Sequence, residues 1–298
     1  MSRTTPASEV NHGAAESARH VSFIAELTED MERGSMDLLG YPEVAIRIQR
    51  ALAQEHVGTQ QLVQLIGSEP VLASRILCMA NSVALNPRGE PVTELRSAVS
   101  RLGTDLLRGA VMSHAMGQVR ASRELAVVAI PMRDLWQCSV VVAALCGALA
   151  RRHTRINPDA AQLAGLLHGV GKLYILIKAS RHPEMLADER SLAAVTGDLH
   201  AVIGRALLEQ WEMPATITEA VGNYESVDWE RDATELDLTD VLCCAALLAA
   251  HLQDPEQLEL VLATFPALAR FGLTAAVCQS LIGESERQIG EVLEALGM

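Results

Sequence analysis

A chain of 298 residues, 49% apolar but only 3% aromatic, is long enough for one large domain or two ordinary ones, and folding buries about three-quarters of its unfolded surface. The formal charge of −13, from 37 acidic against 24 basic residues, argues against a direct nucleic-acid role, since no Lys/Arg run is long enough to track phosphates. The same balance argues against docking on an anionic membrane.

Ala, Leu and Val supply most of the apolar content, alternating β-branched runs are absent, and packed helices are therefore expected over about two-thirds of the chain. Residues 1–19 lack periodicity and read as a disordered tail. Pro42 suits the first turn of a helix over Glu43–Ala53 with Val44, Ile46, Ile48 and Leu52 on its apolar face. Gln60–Ile66 predicts a second helix, and Glu69-Pro70 opens a third carrying Leu72, Ile76, Leu77 and Met79. Asn81-Ser82 ends that helix, and Asn86-Pro87-Arg88-Gly89 predicts a turn. Thr93 reads as the N-cap of Glu94–Leu102, Gly103 as its end, and Thr104-Asp105 as the start of a helix to about Val119.

Ala121–Met132, with Pro131, is the expected change of subdomain, giving an N-terminal bundle over 20–125 and a larger one over 126–298. Asp134–Arg152 predicts a long, centrally buried helix ending in the basic cluster Arg151-Arg152-His153, which complements the helix dipole. Asn157-Pro158 starts a helix through Ala160–His168. Thr196 reads as the cap of a helix carrying His200, Ile203, Leu207 and Trp211, stopped before Pro214. Asp240–Leu252 and further helices from Ala275 complete the chain. Between them, the acidic stretch Glu225–Asp237 reads as a solvated connection.

The six cysteines, Cys78, Cys138, Cys146, Cys243, Cys244 and Cys278, form no C-x-x-C pair and lie in apolar stretches. They read as small core residues in a reducing cytoplasm. The first twenty residues lack the apolar stretch of a secretory signal. The longest apolar runs, near Cys138–Ala150 and Val241–Ala250, read as too short to span a bilayer, so a cytoplasmic protein without membrane insertion is expected. Neither a G-x-S-x-G elbow nor a phosphate loop of the G-x-x-x-x-G-K-[ST] type occurs.

One segment carries chemistry: Leu166-Leu167-His168-Gly169-Val170-Gly171-Lys172-Leu173. It sets a histidine and two glycines in an apolar helix, where each glycine costs about 1 kcal/mol relative to alanine. By periodicity alone, a satisfied core histidine explains it as well as a site does. The segment resembles the L-L-H-D-I-G-K-L signature of the HD superfamily of metal phosphohydrolases, with Gly169 where the aspartate belongs. Ser68–Ser82, Pro91–Gly103, Leu135–Ser139 and Gly197–Pro214 follow in the order and spacing of the HDOD family, the HD-related output domain of bacteria. The likeness runs from about Leu38 to Leu296.

The resemblance implies an all-α, HDOD-like fold, with an N-terminal helical bundle packed on a larger HD-like bundle. Catalytic superfamily members hold metal with a His, a His-Asp pair and a distant Asp. Those positions fall at Cys138, His168, Gly169 and Ala246, so only His168 keeps its ligand type. A family histidine matches His200, whereas the next histidine site reads Asn223-Tyr224. A hydrolytic centre needs about three protein ligands and an open position for water. No metal, no cofactor and no catalysis are therefore expected, although Cys138 could in principle join His168 and His200 in a zinc set.

The resemblance then implies a regulatory module that contacts signalling proteins: a response regulator, a sensor kinase or a cyclic-di-GMP enzyme. With no receiver, kinase or cyclase segment in the sequence, input is expected from a partner or a ligand. Two alternatives stand beside it. One is a sensor binding a nucleotide or phosphate in a vestigial pocket of His168, Lys172, His200 and Asn223; the other is a residual phosphohydrolase. Lys172 reads more readily as a snorkelling side chain at a helix end.

Overall fold

Helix formers with few β-branched runs fold as the composition predicts: about four-fifths of the described residues are helical and none lies in a strand. The structure, a computed structural model, describes residues 7–34, 42–54, 57–82, 89–225 and 236–251, with isolated positions at 36, 38, 85 and 86 and between 271 and 280. Most of the helices expected from Ala275 onward and most of the acidic stretch after Glu225 lie outside the described residues.

In chain order the helices are α1 (Ala7–Arg33), α2 (Glu43–Ala53), α3 (Thr59–Gly67), α4 (Pro70–Ala80), α5 (Leu95–Arg120) and α6 (Ala129–His153). There follow α7 (Pro158–Leu167), α8 (Val170–Ala179), α9 (Pro183–Ala187), α10 (Glu189–Gln210), α11 (Ala215–Asn223) and α12 (Leu238–His251). A short 3₁₀ turn, Arg123–Val128, joins α5 to α6.

Several boundaries differ from the sequence reading. The backbone of α1 is helical from Ala7, inside the stretch read as a tail, because its alanines and glutamates are good helix formers. Glu94 takes the N-cap position expected of Thr93 and makes no side-chain cap bond. Asp188, not Thr196, caps α10 by accepting from Ser191 N–H; Thr196 sits mid-helix and donates its hydroxyl to the Leu192 carbonyl. Gly103 breaks α5 as expected, at φ 71°, a conformation open to glycine without strain. Cys78 and Cys138 are exposed rather than core residues: α4 turns Leu72, Ile76 and Ala80 inward, which leaves Cys78 on its outer face.

Two hydrophobic cores result. The smaller gathers α2–α4 and the inner face of α5, including Ile48, Leu72, Ile76, Leu107 and Val111. The larger gathers α6–α8 and α10–α12, and also Phe23 and Leu27 of α1. The two cores meet along α5, ahead of the Ala121–Met132 stretch. Leu107, Val111 and Ala115 form one stripe of α5 facing the small core; Met112, Met116 and Val119 form a second facing the large one. Burying Phe23 and Leu27 contributes about 1.5–3 kcal/mol each, which attaches α1 to the larger core.

A polar layer joins the cores. Arg108, only 4% exposed, donates from Nη2 to the Leu52 carbonyl at 2.6 Å and from Nη1 to Gln49 Oε1 at 3.4 Å. Its Nη1 also lies 3.8 Å from Met213 Sδ, and Met36 N–H donates to Gln210 Oε1 at 3.1 Å. The corner after α10 thus meets α2 and α5, with Glu212 held at φ 54°.

Three stretches, Arg123–His153, Pro158–Ala179 and Glu189–Gln210, are long and apolar enough to cross a membrane by length and composition, more than the sequence reading allowed. In the fold they pack on one another, α6 on α7 and α8 on α10, and Pro158–Ala179 is two helices broken at His168-Gly169.

Candidate functional site

The signature segment folds as a helix–junction–helix and not as one continuous helix. His168 closes α7, Gly169 is the N-cap residue of α8, and Gly171 lies in its first turn. Gly171 allows α8 and α10 to touch: a Cβ there would sit 1.9 Å from the His200 carbonyl oxygen, a contact no packing tolerates. Gly165 does the same for α7 against α6, where a Cβ would lie 2.6 Å from Ala143 Cα. Both small residues bring His168 and His200 to one place.

His168 is 4% exposed and donates from Nδ1 to the Gly165 carbonyl at 2.7 Å, which leaves its lone pair on Nε2. Burial, with smaller contributions from Lys172 and His200, pushes its pKa down to about 4, so the ring is neutral near pH 7. His200, 1% exposed, likewise donates from Nδ1 to the Thr196 carbonyl at 2.7 Å. Burial and the charge of Lys172 hold its pKa below the usual value, against the pull of Glu225.

Tyr224 packs against both rings. Its ring centroid is 5.7 Å from that of His168 and 6.1 Å from that of His200, edge-on in both cases. Its hydroxyl is 3.0 Å from His200 Nε2, and Glu225 Oε1 is also 3.0 Å from that nitrogen. With Nδ1 already donating, Nε2 is the ring nitrogen that meets both the Tyr224 hydroxyl and the Glu225 carboxylate. Burial and the Glu225 carboxylate raise the Tyr224 pKa further above its usual value, so it stays a phenol. Lys172 Nζ lies 3.8 Å from Glu225 Oε1 and completes the cluster.

The structure therefore brings His168, His200 and Lys172 together around Tyr224 and Glu225. Asn223 is the half-buried last residue of α11, beside Tyr224 in sequence. Cys138 is exposed on α6, and Ala246 is a half-buried position on α12 packed against the larger core. Sequence reasoning missed Tyr224 as a filler and Glu225 as a partner. The mismatch of Asn223-Tyr224 with the expected histidines was the available signal.

These residues do not fit a hydrolytic metal. Among the described residues no three His, Cys, Asp or Glu side chains gather to hold an ion. The position of the missing aspartate opens instead on an apolar cleft of about 30 Å³ walled by Met112, Met132, Leu135 and Trp136. A Cβ at Gly169 would sit 3.0 Å from Leu135 Cδ1 and from Ser139 Oγ.

Residues 38–227 match the profile of the HDOD domain. A protein of Treponema pallidum, named only as uncharacterized, is 28% identical over 204 residues, which cover 62% of this chain and 37% of the relative. The chain thus spans little more than a third of that relative's length. A crystal structure from Shewanella amazonensis, provisionally named a metal-dependent phosphohydrolase, shares 26% identity at a TM-score of 0.65, covering 90% of this chain and 99% of that one. An HDOD domain protein of unknown function from Geobacter sulfurreducens shares the fold at 21% identity, TM-score 0.55, covering 91% of this chain and 96% of its own. A structure from Marinobacter aquaeolei, provisionally named a signal transduction protein, does so at 22% identity and TM-score 0.54, covering 93% and 66%.

Proposed function

Because the chain belongs to the HDOD family, we propose that it is a non-catalytic bacterial signalling protein of the cytoplasm that works by contact with other signalling proteins. One observation carries this reading: a tyrosine ring packs edge-on against both His168 and His200, and the other family ligand positions are Cys138, Gly169 and Ala246. Two imidazoles, one of them already bonded to a phenol and facing a carboxylate, offer a hydrolytic metal too few free ligands. A response regulator, a sensor kinase or a cyclic-di-GMP enzyme is the class of partner that suits it. The negative charge disfavours nucleic acid as that partner.

The second reading, a residual metal phosphohydrolase, draws on His168. Its Nδ1 bond to a backbone carbonyl presents Nε2 as a metal-ligating histidine would, and the Shewanella relative bears a phosphohydrolase name. A nucleotide-sensing pocket draws less support, since Lys172 already faces Glu225 and Tyr224 packs against both histidines.

The test is metal content by mass spectrometry after incubation with Mn, Fe, Zn and Mg, together with hydrolysis of cyclic dinucleotides and nucleotides. Metal far below one ion per chain, with no turnover, is the expected result. Stoichiometric metal and turnover, both lost in His168→Ala, would establish the hydrolase instead.

A further inference from the structure

Helix α1 precedes the region that the HDOD profile matches, yet it is seated on the larger core through a specific pattern. Phe23 and Leu27, 1% and 0% exposed, are its apolar anchors, and Val21 on the opposite side is 65% exposed. One turn apart on the same face, Glu26 and Asp30 meet the single ammonium of Lys178 on α8, at 2.9 Å and 2.6 Å. Tyr174 O–H donates to Asp30 Oδ2 at 2.7 Å, and His182 Nε2–H donates to Glu26 Oε2 at 2.9 Å. The ring of Phe23 lies edge-on to that of His182 at 5.2 Å.

The seat formed by α8, the start of α9 and α10 thus has an apolar pit beside two nitrogen donors, Lys178 and His182. It reads an aromatic, a leucine and two carboxylates spaced i, i+4 and i+3, i+7 along a helix. Most of its specificity is polar, and among the described side chains of α1 two, Phe23 and Leu27, are fully buried in it. A helix read through anchors at this spacing is a recurring mode of recognition between proteins.

We propose that this seat is a docking groove for an acidic amphipathic helix of a partner protein, and that α1 is its resident occupant, to be displaced when the partner binds. The partner helix carries an aromatic residue, a leucine four positions on, and carboxylates three and seven positions on. Complementarity with Lys178 and His182 sets its direction. This deepens the reading of the protein as a contact-dependent regulator and rests on it. The metal and hydrolysis assays decide that reading, while the groove test is blind to them.

The test uses the full chain and a fluorescein-labelled peptide of residues 20–33. A full-chain variant with Phe23→Ala, Glu26→Lys and Asp30→Lys loses its own α1 contacts and repels Lys178. It binds the peptide about tenfold or more tightly than the wild-type chain does, because the open groove is no longer a minor state. The peptide bearing Glu26→Lys and Asp30→Lys does not bind. In the unaltered chain, hydrogen exchange shows α1 opening well before α8 and α10. Equal peptide binding by both chains, or binding indifferent to the reversed charges, overturns the proposal. So does exchange of α1 in step with α8 and α10, which would make α1 an inseparable piece of the core even if the variant fails to fold.

Discussion

The hydroxyl of Tyr224 lies 3.0 Å from Nε2 of His200, joining the first residue after α11 to the middle of α10. The bond does what a ligand or ion would otherwise do: it satisfies a buried imidazole. Tyr224→Phe removes one neutral hydrogen bond and is expected to cost about 1 kcal/mol. Tyr224→Ala also empties a space lined by two histidines and is expected to cost about 3–5 kcal/mol. Urea unfolding midpoints of the two variants check the order.

The three glycines at the signature segment differ in what surrounds them, and alanine substitution separates them. At Gly171 an added methyl meets the His200 backbone at 1.9 Å, so α8 and α10 must part. At Gly165 the clash is with the Ala143 backbone at 2.6 Å. At Gly169 the nearest atoms are ends of side chains at 3.0 Å, which can shift. Gly171→Ala and Gly165→Ala are expected to lose about 3 kcal/mol or more, or to prevent folding, while Gly169→Ala loses about 1 kcal/mol. Thermal denaturation followed by circular dichroism reads the ranking, and equal losses at all three would contradict it.

His168 gives the stability a predictable pH dependence. Its pKa is about 4 in the fold against about 6.5 in the unfolded chain, because burial penalises the charged ring. As pH falls below 6.5 the unfolded chain takes up the proton first, and stability drops until about pH 4, below which this contribution is flat. The full effect is about 3 kcal/mol, and above pH 6.5 it is absent. His200, whose pKa is also lowered by burial, adds to the slope in the same direction. Denaturant midpoints measured between pH 7 and pH 4 should fall, and His168→Gln should flatten the curve. An unchanged slope in that variant would show that His168 is not the titrating group.

Arg108 separates charge from volume. The guanidinium is buried with its Nε unpaired, and its acceptors are neutral: the Leu52 carbonyl, Gln49 Oε1 and Met213 Sδ. Burial lowers its pKa, opposed by the more distant charge of Asp105. Arg108→Met keeps the stem packed between α2 and α5 and removes the desolvated cation, so it is expected to lie within about 1.5 kcal/mol of the parent. Arg108→Ala leaves both a void and an unmet carbonyl and is expected to cost about 2–4 kcal/mol more. Chemical denaturation of the pair measures the difference.

Local signals made much of the fold readable from residues alone. Pro42, Pro70 and Pro158 stand at helix starts, Gly103 breaks α5 where expected, and the apolar run from Ser139 to Ala150 is the buried centre of the larger core. Residue types were readable as well: Cys138, Gly169 and Ala246 stand at the positions that the resemblance assigns to ligands. Tertiary packing decided the rest. Thr196 carries capping chemistry yet lies within α10, because Asp188 caps the helix earlier and Val195 is buried against the core. The two stripes of α5 that divide the cores, the close approach of Gly171 to His200, and the packing of Tyr224 against two histidines all join residues distant in sequence. Residue type and spacing set what each helix can bury; only the packed fold decides which faces meet, and so what fills the site.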